Sequence, residues 1–351
     1  MKSYCMKRLI LFAVLGMIFT GGAIAGEAPG DNPGDDPKAF LGKWTFSIGS
    51  GSVGWLEVRQ EKGYLDGDLL WGGGSVLPVP WLFVSGNTLM VGRDVRKVVR
   101  EKDQAGKEIR SHSFPSWVQI QCEGDRMSGY YLQPASSGVG LDTTRVNGFR
   151  LPDVPPSPDL KAVKFGKPEK MLGSNNLAGW RLVEGNQANG WSVADGVLTN
   201  NPVQKEGERH IRYGNIRTEK EYEDFNLKLE VNVPKGSNSG VYLRGRHEIQ
   251  VSDSYGKPLD SHNMGGLYSR ITPSVNAEKP AGEWQSMDIT LCDRHLTVIL
   301  NGVTIIDNKP VDGPTGGALT PDVFAPGPIY LQGDHGKVSY RNMVITPILK
   351  K

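Results

Sequence analysis

The chain has 351 residues, with 40 Lys and Arg against 38 Asp and Glu, 45 glycines, 23 prolines and 38% hydrophobic residues. That length exceeds one average domain, and the near-even charge balance excludes the basic footprint of a nucleic-acid or anionic-membrane binder. Glycine and proline at this density punctuate short strands and work against long helices.

Residues 1–25 read as a cleavable signal peptide: "MKSYCMKR" is cationic, "LILFAVLGMIFTG" is apolar, and "AIA" offers a cleavage site after Ala25. The apolar run falls short of the ~20 residues of a spanning helix, so the expected location is secreted or periplasmic, with no membrane span in the mature protein. Cleavage takes away Lys2, Lys7, Arg8 and Cys5 and leaves Cys122 and Cys292. Two distant cysteines are no disulfide framework, so two unpaired, partly buried thiols are expected. "GEAPGDNPGDDP", residues 26–37, reads as a flexible polar arm.

Residues 38–150 carry a β pattern of unknown role: "KWTFSI", "GWLEVRQ", "YLDGDLLW", "PWLFVSGNTLMV", "WVQIQCEGDRMSGYYLQ" and "VNGFRLP" read as strands. "VSGNTLMV" and "CEGDRMSGYY" read as hairpins, and the whole as an antiparallel meander curling into a small sandwich or barrel. The charged run "RDVRKVVREKDQAGKEIR" breaks the pattern and reads as a solvated excursion. "LPDVPPSPDLKAVKFGKP", 151–168, is a Pro-rich linker expected to hold two domains apart.

Residues 169–351 are again β-patterned. Asp195-Gly196 and Asn301-Gly302 sit between alternating apolar runs, a strong hairpin signal. Phe225, Leu227, Leu229, Val231 and Val233 share one strand face, and strands at this spacing suggest a two-sheet sandwich. In "NSGVYLRGRHEIQVSDS" (238–254), Val241, Leu243, Ile249 and Val251 keep the buried parity; Tyr242, Arg244, Glu248 and Gln250 keep the other, with 245–247 as the turn.

This second region resembles the 3-keto-disaccharide hydrolase domain family. The resemblance rests on "LAGW" (177–180), "WSVADGVL" (191–198), "IRTEKEYEDFNLKLE" (216–230), "NSGVYLRG" (238–245), "EIQVSDS" (248–254), "GGLYS" (265–269), "KPAGEW" (279–284), "LNG" (300–302) and "GPIYLQGDHGKVSYRNMVI" (327–345) in that order. It implies a concanavalin A-like jelly roll for about residues 170–348, and so an all-β protein. Where the family usually reads Glu-Trp-Asn, this chain has Glu283-Trp284-Gln285.

The resemblance implies cleavage of 3-keto glycosides by C2 proton abstraction, elimination and hydration. That chemistry asks for a base, a group for the enolate oxygen and an acid for the leaving group. His335 suits base or acid, Glu248 is the alternative base, Arg244 suits the enolate, and Asp334 would orient His335. Tyr242, Gln250, Tyr268, Gln332, Asn238 and Trp284 are the candidate sugar contacts. A divalent metal, calcium or a transition ion, stays open: His335, Asp334, Glu248 and His262 are ligand types, but no HExxH or cysteine-pair spacing fixes a site. "DSYGKPLDSHN" (253–263) is expected as a loop over the trough. The alternative reading is a non-catalytic carbohydrate-binding protein of the cell envelope.

Overall fold

A computed structural model describes residues 36–349. The signal peptide and most of the polar arm lie outside the described residues.

The first nine strands are β1 (Gly42–Ile48), β2 (Ser52–Gln60), β3 (Leu65–Trp71), β4 (Val76–Pro78), β5 (Leu82–Ser85), β6 (Thr88–Lys102), β7 (Glu108–Glu123), β8 (Arg126–Pro134) and β9 (Leu141–Leu151). They form one antiparallel meander in which β1 also pairs with β9, so the sheet curls and leaves β4 and β5 as its edges. It is therefore open rather than a closed barrel. Period-two alternation drives the curl, because Trp44, Phe46, Leu56, Val58, Val91, Val118, Ile120 and Val146 all turn inward into one core.

The charged run expected as an excursion is instead strand. Residues 94–102 and 108–116 pair with each other beyond the core. Apart from Ser116 at its base and Phe114, which Arg96 and Arg100 cover, that hairpin is largely open to water, which is why its sequence lacks an apolar parity.

The second region contributes β10 (Lys164–Phe165), β11 (Glu169–Lys170), β12 (Trp180–Leu182), β13 (Trp191–Ala194), β14 (Val197–Asn200), β15 (Ile216–Thr218), β16 (Phe225–Asn232), β17 (Asn238–Leu243), β18 (His247–Ser252), β19 (Trp284–Cys292), β20 (His295–Leu300), β21 (Val303–Pro310), β22 (Tyr330–Leu331) and β23 (Val338–Leu349). One sheet runs β13-β14-β23-β16-β19-β20-β21, with β10 and β11 also on β23; the other runs β12-β15-β22-β17-β18. Their facing apolar parities, Leu227, Leu229 and Val231 from one and Val241, Leu243, Ile249 and Val251 from the other, fill a single core. The protein is thus all-β, with a two-sheet sandwich in its second region. The Asp195-Gly196 and Asn301-Gly302 turns have positive φ at both residues, as two-residue hairpins on right-twisted strands require.

The two regions are packed directly together rather than held apart. Trp55, Leu70 and Leu151 form one buried cluster with Val323, and the Trp55 indole N–H donates to the Asp312 carbonyl at 3.1 Å. The Arg270 guanidinium lies 4.2 Å over the Trp55 ring, and Lys43 Nζ reaches Asp312 Oδ1 at 2.6 Å. The Pro-rich segment lies along the sandwich, where Arg294 donates to the Pro152 and Asp153 carbonyls and Asn308 to the Pro158 carbonyl. Cys122 and Cys292 are unpaired. Among the described residues no helix is long and apolar enough to cross a membrane.

Candidate functional site

The five-stranded sheet turns its polar parity into a cavity of about 500 Å³, within the range of small-ligand sites. Tyr242, Tyr330, Gln332, Asp334 and His335 line it from this sheet and the loop after it. Glu184, Gln187 and Arg212 come from the segments beside β12 and β15, and Gly51, Ser52, Val53, Gly72 and Gly73 from the first region.

Tyr242 on β17 and Tyr330 on β22 are register partners, and their rings stack with centroids 3.9 Å apart at 13°. Behind them lies Glu248, the cross-strand partner of Tyr242 on β18, only 3% exposed. Space for its carboxylate exists because residue 240 is glycine: a Cβ there would stand 2.2 Å from Glu248 Oε1. The Tyr242 hydroxyl is 2.8 Å from Glu248 Oε2 and 2.8 Å from the Gly316 carbonyl oxygen. A phenol has one proton, so both contacts are hydrogen bonds at once when Glu248 carries its own. Burial agrees, pushing the Glu248 carboxyl up to about 8 against a smaller lowering from the Tyr242 hydrogen bond. Burial likewise raises both phenols.

At the other end of the cavity the loop after β22 is fixed by neighbours. The Asp334 carboxylate accepts the Tyr213 N–H at 2.9 Å, the Asn215 amide oxygen accepts the Gly333 N–H at 2.8 Å, and Asn200 donates to the Gly333 and Gly336 carbonyls. Gly333 is packed so closely that a Cβ would lie 2.2 Å from the Gly214 carbonyl oxygen. Asp334 therefore holds the turn, and His335 projects from it with an exposed imidazole.

Besides Glu248 behind the phenols, five expected site residues lie outside the cavity lining. The turn between β17 and β18 is Arg244-Gly245-Arg246, one residue earlier than the pattern suggested, with Arg244 at φ 53° and Gly245 at φ 66°. Left-handed backbone ends strand alternation, so Arg244 leaves the polar face. Its guanidinium is buried against Asp224, Arg294 and Phe324 and donates to the Phe324 and Ala325 carbonyls at 2.6–3.2 Å. Trp284 belongs to β19 in the opposite sheet, beneath the Arg341 guanidinium at 4.0 Å. Its neighbour Gln285 is buried, its side-chain oxygen accepting from the Lys279 N–H and the Asn301 amide, a structural use of the longer amide.

Tyr268 stands at the seam between the two regions, edge-on to His262 at 4.7 Å and 3.4 Å from the Ser75 hydroxyl. His262 itself contacts Asp260 at 2.5 Å and Ser75 at 3.0 Å. The 253–263 loop thus packs on the edge of β18 and against the first region instead of roofing the cavity. Gln250 and Asn238 keep the expected parity but lie outside the cavity lining, each with a buried, unpartnered side-chain oxygen.

The four metal-ligand types named from sequence do not converge. Among the described residues the group that does is Asp224, Cys292 and Asp293, at the far side of the sandwich. There the Asp224 carboxylate already accepts the Asp293 N–H.

Sequence reasoning missed Tyr330, Arg212, Glu184 and the first region's contribution. Tyr330 was legible, since it shares parity with Gln332 and Asp334 in "YLQGD". Arg212 lies in an irregular segment with no such period.

Comparison with known proteins adds three findings. No curated protein matches the chain. Two crystal structures of proposed glycosyl hydrolases from Parabacteroides distasonis are similar to it: one at 30% identity over 56% of this chain and 92% of that one (TM-score 0.42), another at 27% over 51% and 98% (TM-score 0.40). Carbohydrate binding module CBM66 from Bacillus subtilis is similar at 13% identity over 47% of this chain and 93% of that one (TM-score 0.28). Residues 167–346, just over half of the chain, match the 3-keto-alpha-glucoside-1,2-lyase-like domain, and the protein belongs to that carbohydrate-acting family.

Proposed function

We propose that the cavity cleaves short 3-keto glycosides by elimination across C1 and C2, followed by hydration. The observation that carries this reading is the buried, proton-holding Glu248 beneath Tyr242. A carboxyl kept neutral behind a phenol that lines a polar cavity is a proton store, and such perturbed groups gather where proton transfer is needed. Conventional glycosidases use two carboxylates flanking the scissile bond; here one carboxyl is sequestered behind a phenol.

In the first step His335 takes the C2 proton, and the C–H electron pair moves to make an enolate at C2–C3. Arg212, at the rim, supplies the cation for its oxygen, the part that Arg244 was expected to play. The enolate then collapses: C1–C2 becomes double, the C1–O bond breaks, and the leaving oxygen takes the proton of Tyr242, which Glu248 replaces. Water then adds across C1–C2: its oxygen joins C1, its proton restores the Tyr242–Glu248 pair, and His335 returns its proton to C2, which completes hydrolysis. Gln332 hydrogen-bonds ring hydroxyls. No step is routed through a metal, because the candidate ligands stand apart. The signal-like N-terminus supports action outside the cytoplasm.

The test is incubation with a 3-keto disaccharide and with its unoxidised parent, followed by NMR. Loss of the keto form alone is expected. Binding of either sugar without turnover would favour a carbohydrate-binding protein, and cleavage of the parent would point to two-carboxylate chemistry.

A further inference from the structure

We propose that the first β region is part of the sugar site and holds the leaving group. This inference rests on the elimination reading for which end of the substrate lies there.

The connection is a hydrogen-bond chain. The Tyr242 hydroxyl contacts the Gly316 carbonyl at 2.8 Å, and the Tyr330 hydroxyl donates to the Gly317 carbonyl at 3.3 Å. The Gly317 N–H in turn donates across the seam to the Gly72 carbonyl at 3.2 Å. Loop 316–317 is clamped between the regions: a Cβ on Gly316 would lie 2.3 Å from the Gly74 carbonyl oxygen, and one on Gly317 2.7 Å from the Tyr242 hydroxyl. Only glycine fits this double approach. The phenol ends therefore point toward the first region, and His335 stands at the opposite end of the cavity.

The group that protonates the leaving oxygen marks the leaving-group side. That side is walled by the β1–β2 turn at Gly51-Ser52 and the β3–β4 turn at Gly72-Gly73. The residues on that side, Gly51, Ser52, Gly72 and Gly73, are small, and the cavity of about 500 Å³ has the size for a short ligand. The ligand class is a short glycoside whose leaving group packs on Ser52 and Gly73, rather than an internal stretch of a polysaccharide.

Ser52→Trp tests this, since Ser52 is exposed at a strand end and tolerates a large side chain. Gly73→Phe is the second variant: a Cβ there meets nothing within 4 Å, and its φ is not left-handed. Each is assayed on a 3-keto disaccharide and on a 3-keto methyl glycoside, whose leaving group is only methanol. The expected result is a loss of at least about 10-fold in kcat/KM on the disaccharide, with the methyl glycoside within about 3-fold of wild type. Equal losses on both substrates, or none on either, in both variants overturn the inference.

If the wild type turns over neither substrate, the elimination reading fails, and the wall is then read by calorimetric titration with the unoxidised disaccharide and methyl glycoside. The variants should then lose affinity for the disaccharide alone, and parallel changes overturn the wall as well.

Discussion

Replacing Glu248 by Gln keeps the shape and a hydrogen-bond donor toward Tyr242 while removing the titrating proton. In the folded protein this carboxyl holds its proton up to about 8, against 4.5 for the ordinary side chain. Between those values the folded state binds more protons than the unfolded state, so stability is fully present below pH 4.5 and is lost as pH rises toward 8. Each pKa unit is worth about 1.36 kcal/mol, which makes the whole loss about 5 kcal/mol and the part between pH 5 and 7 about 3 kcal/mol.

Urea unfolding of wild type and Glu248→Gln at pH 5, 6 and 7 measures this directly. The wild type should lose about 3 kcal/mol more than the variant over that range. Asp224 and Glu278 are raised in the same direction by burial, but they are present in both proteins and cancel in the difference. Turnover should follow: wild-type activity falls on the alkaline side near pH 8, whereas the variant is slower by about 10²–10⁴-fold and lacks that limb. Parallel pH–stability profiles in the two proteins would refute a neutral, proton-holding Glu248.

Other outcomes follow from the same geometry. Gly240→Ala drives a methyl group into the Glu248 carboxyl and should cost about 1–3 kcal/mol of stability, with turnover falling as in Glu248→Gln; a wild-type melting temperature would contradict the close approach. Arg244→Ala should destabilise by about 1–3 kcal/mol, because buried carbonyls at 324 and 325 lose their donor, and leave kcat/KM within about 3-fold. Arg212→Ala should do the reverse, lowering kcat by about 10²-fold or more with an unchanged melting curve. His335→Ala should abolish most cleavage of a 3-keto substrate while the fold stays intact; near wild-type turnover would remove His335 from the scheme.

Much of this fold was legible residue by residue. The alternation of Leu227, Leu229 and Val231, and of Val241, Ile249 and Val251, announced which faces meet in the core, since strand side chains alternate by geometry. Asp195-Gly196 and Asn301-Gly302 announced hairpins because both positions need left-handed backbone. The polar parity and the closing loop did bring Tyr242, Gln332 and His335 to one cavity, with Glu248 behind Tyr242.

Local pattern determined strands, turns and which way most side chains face, because these depend on neighbours within a few residues. Tertiary structure decided the rest. A one-residue shift of the β17–β18 turn sent Arg244 away from the cavity, and the edge packing of the 260–271 loop carried Tyr268 and His262 to the seam. Contact between Gly72 and Gly317, 245 positions apart in sequence, brought the first region to the cavity. Whether two polar residues share a cavity depends on how whole sheets dock, and no period in the chain encodes that distance.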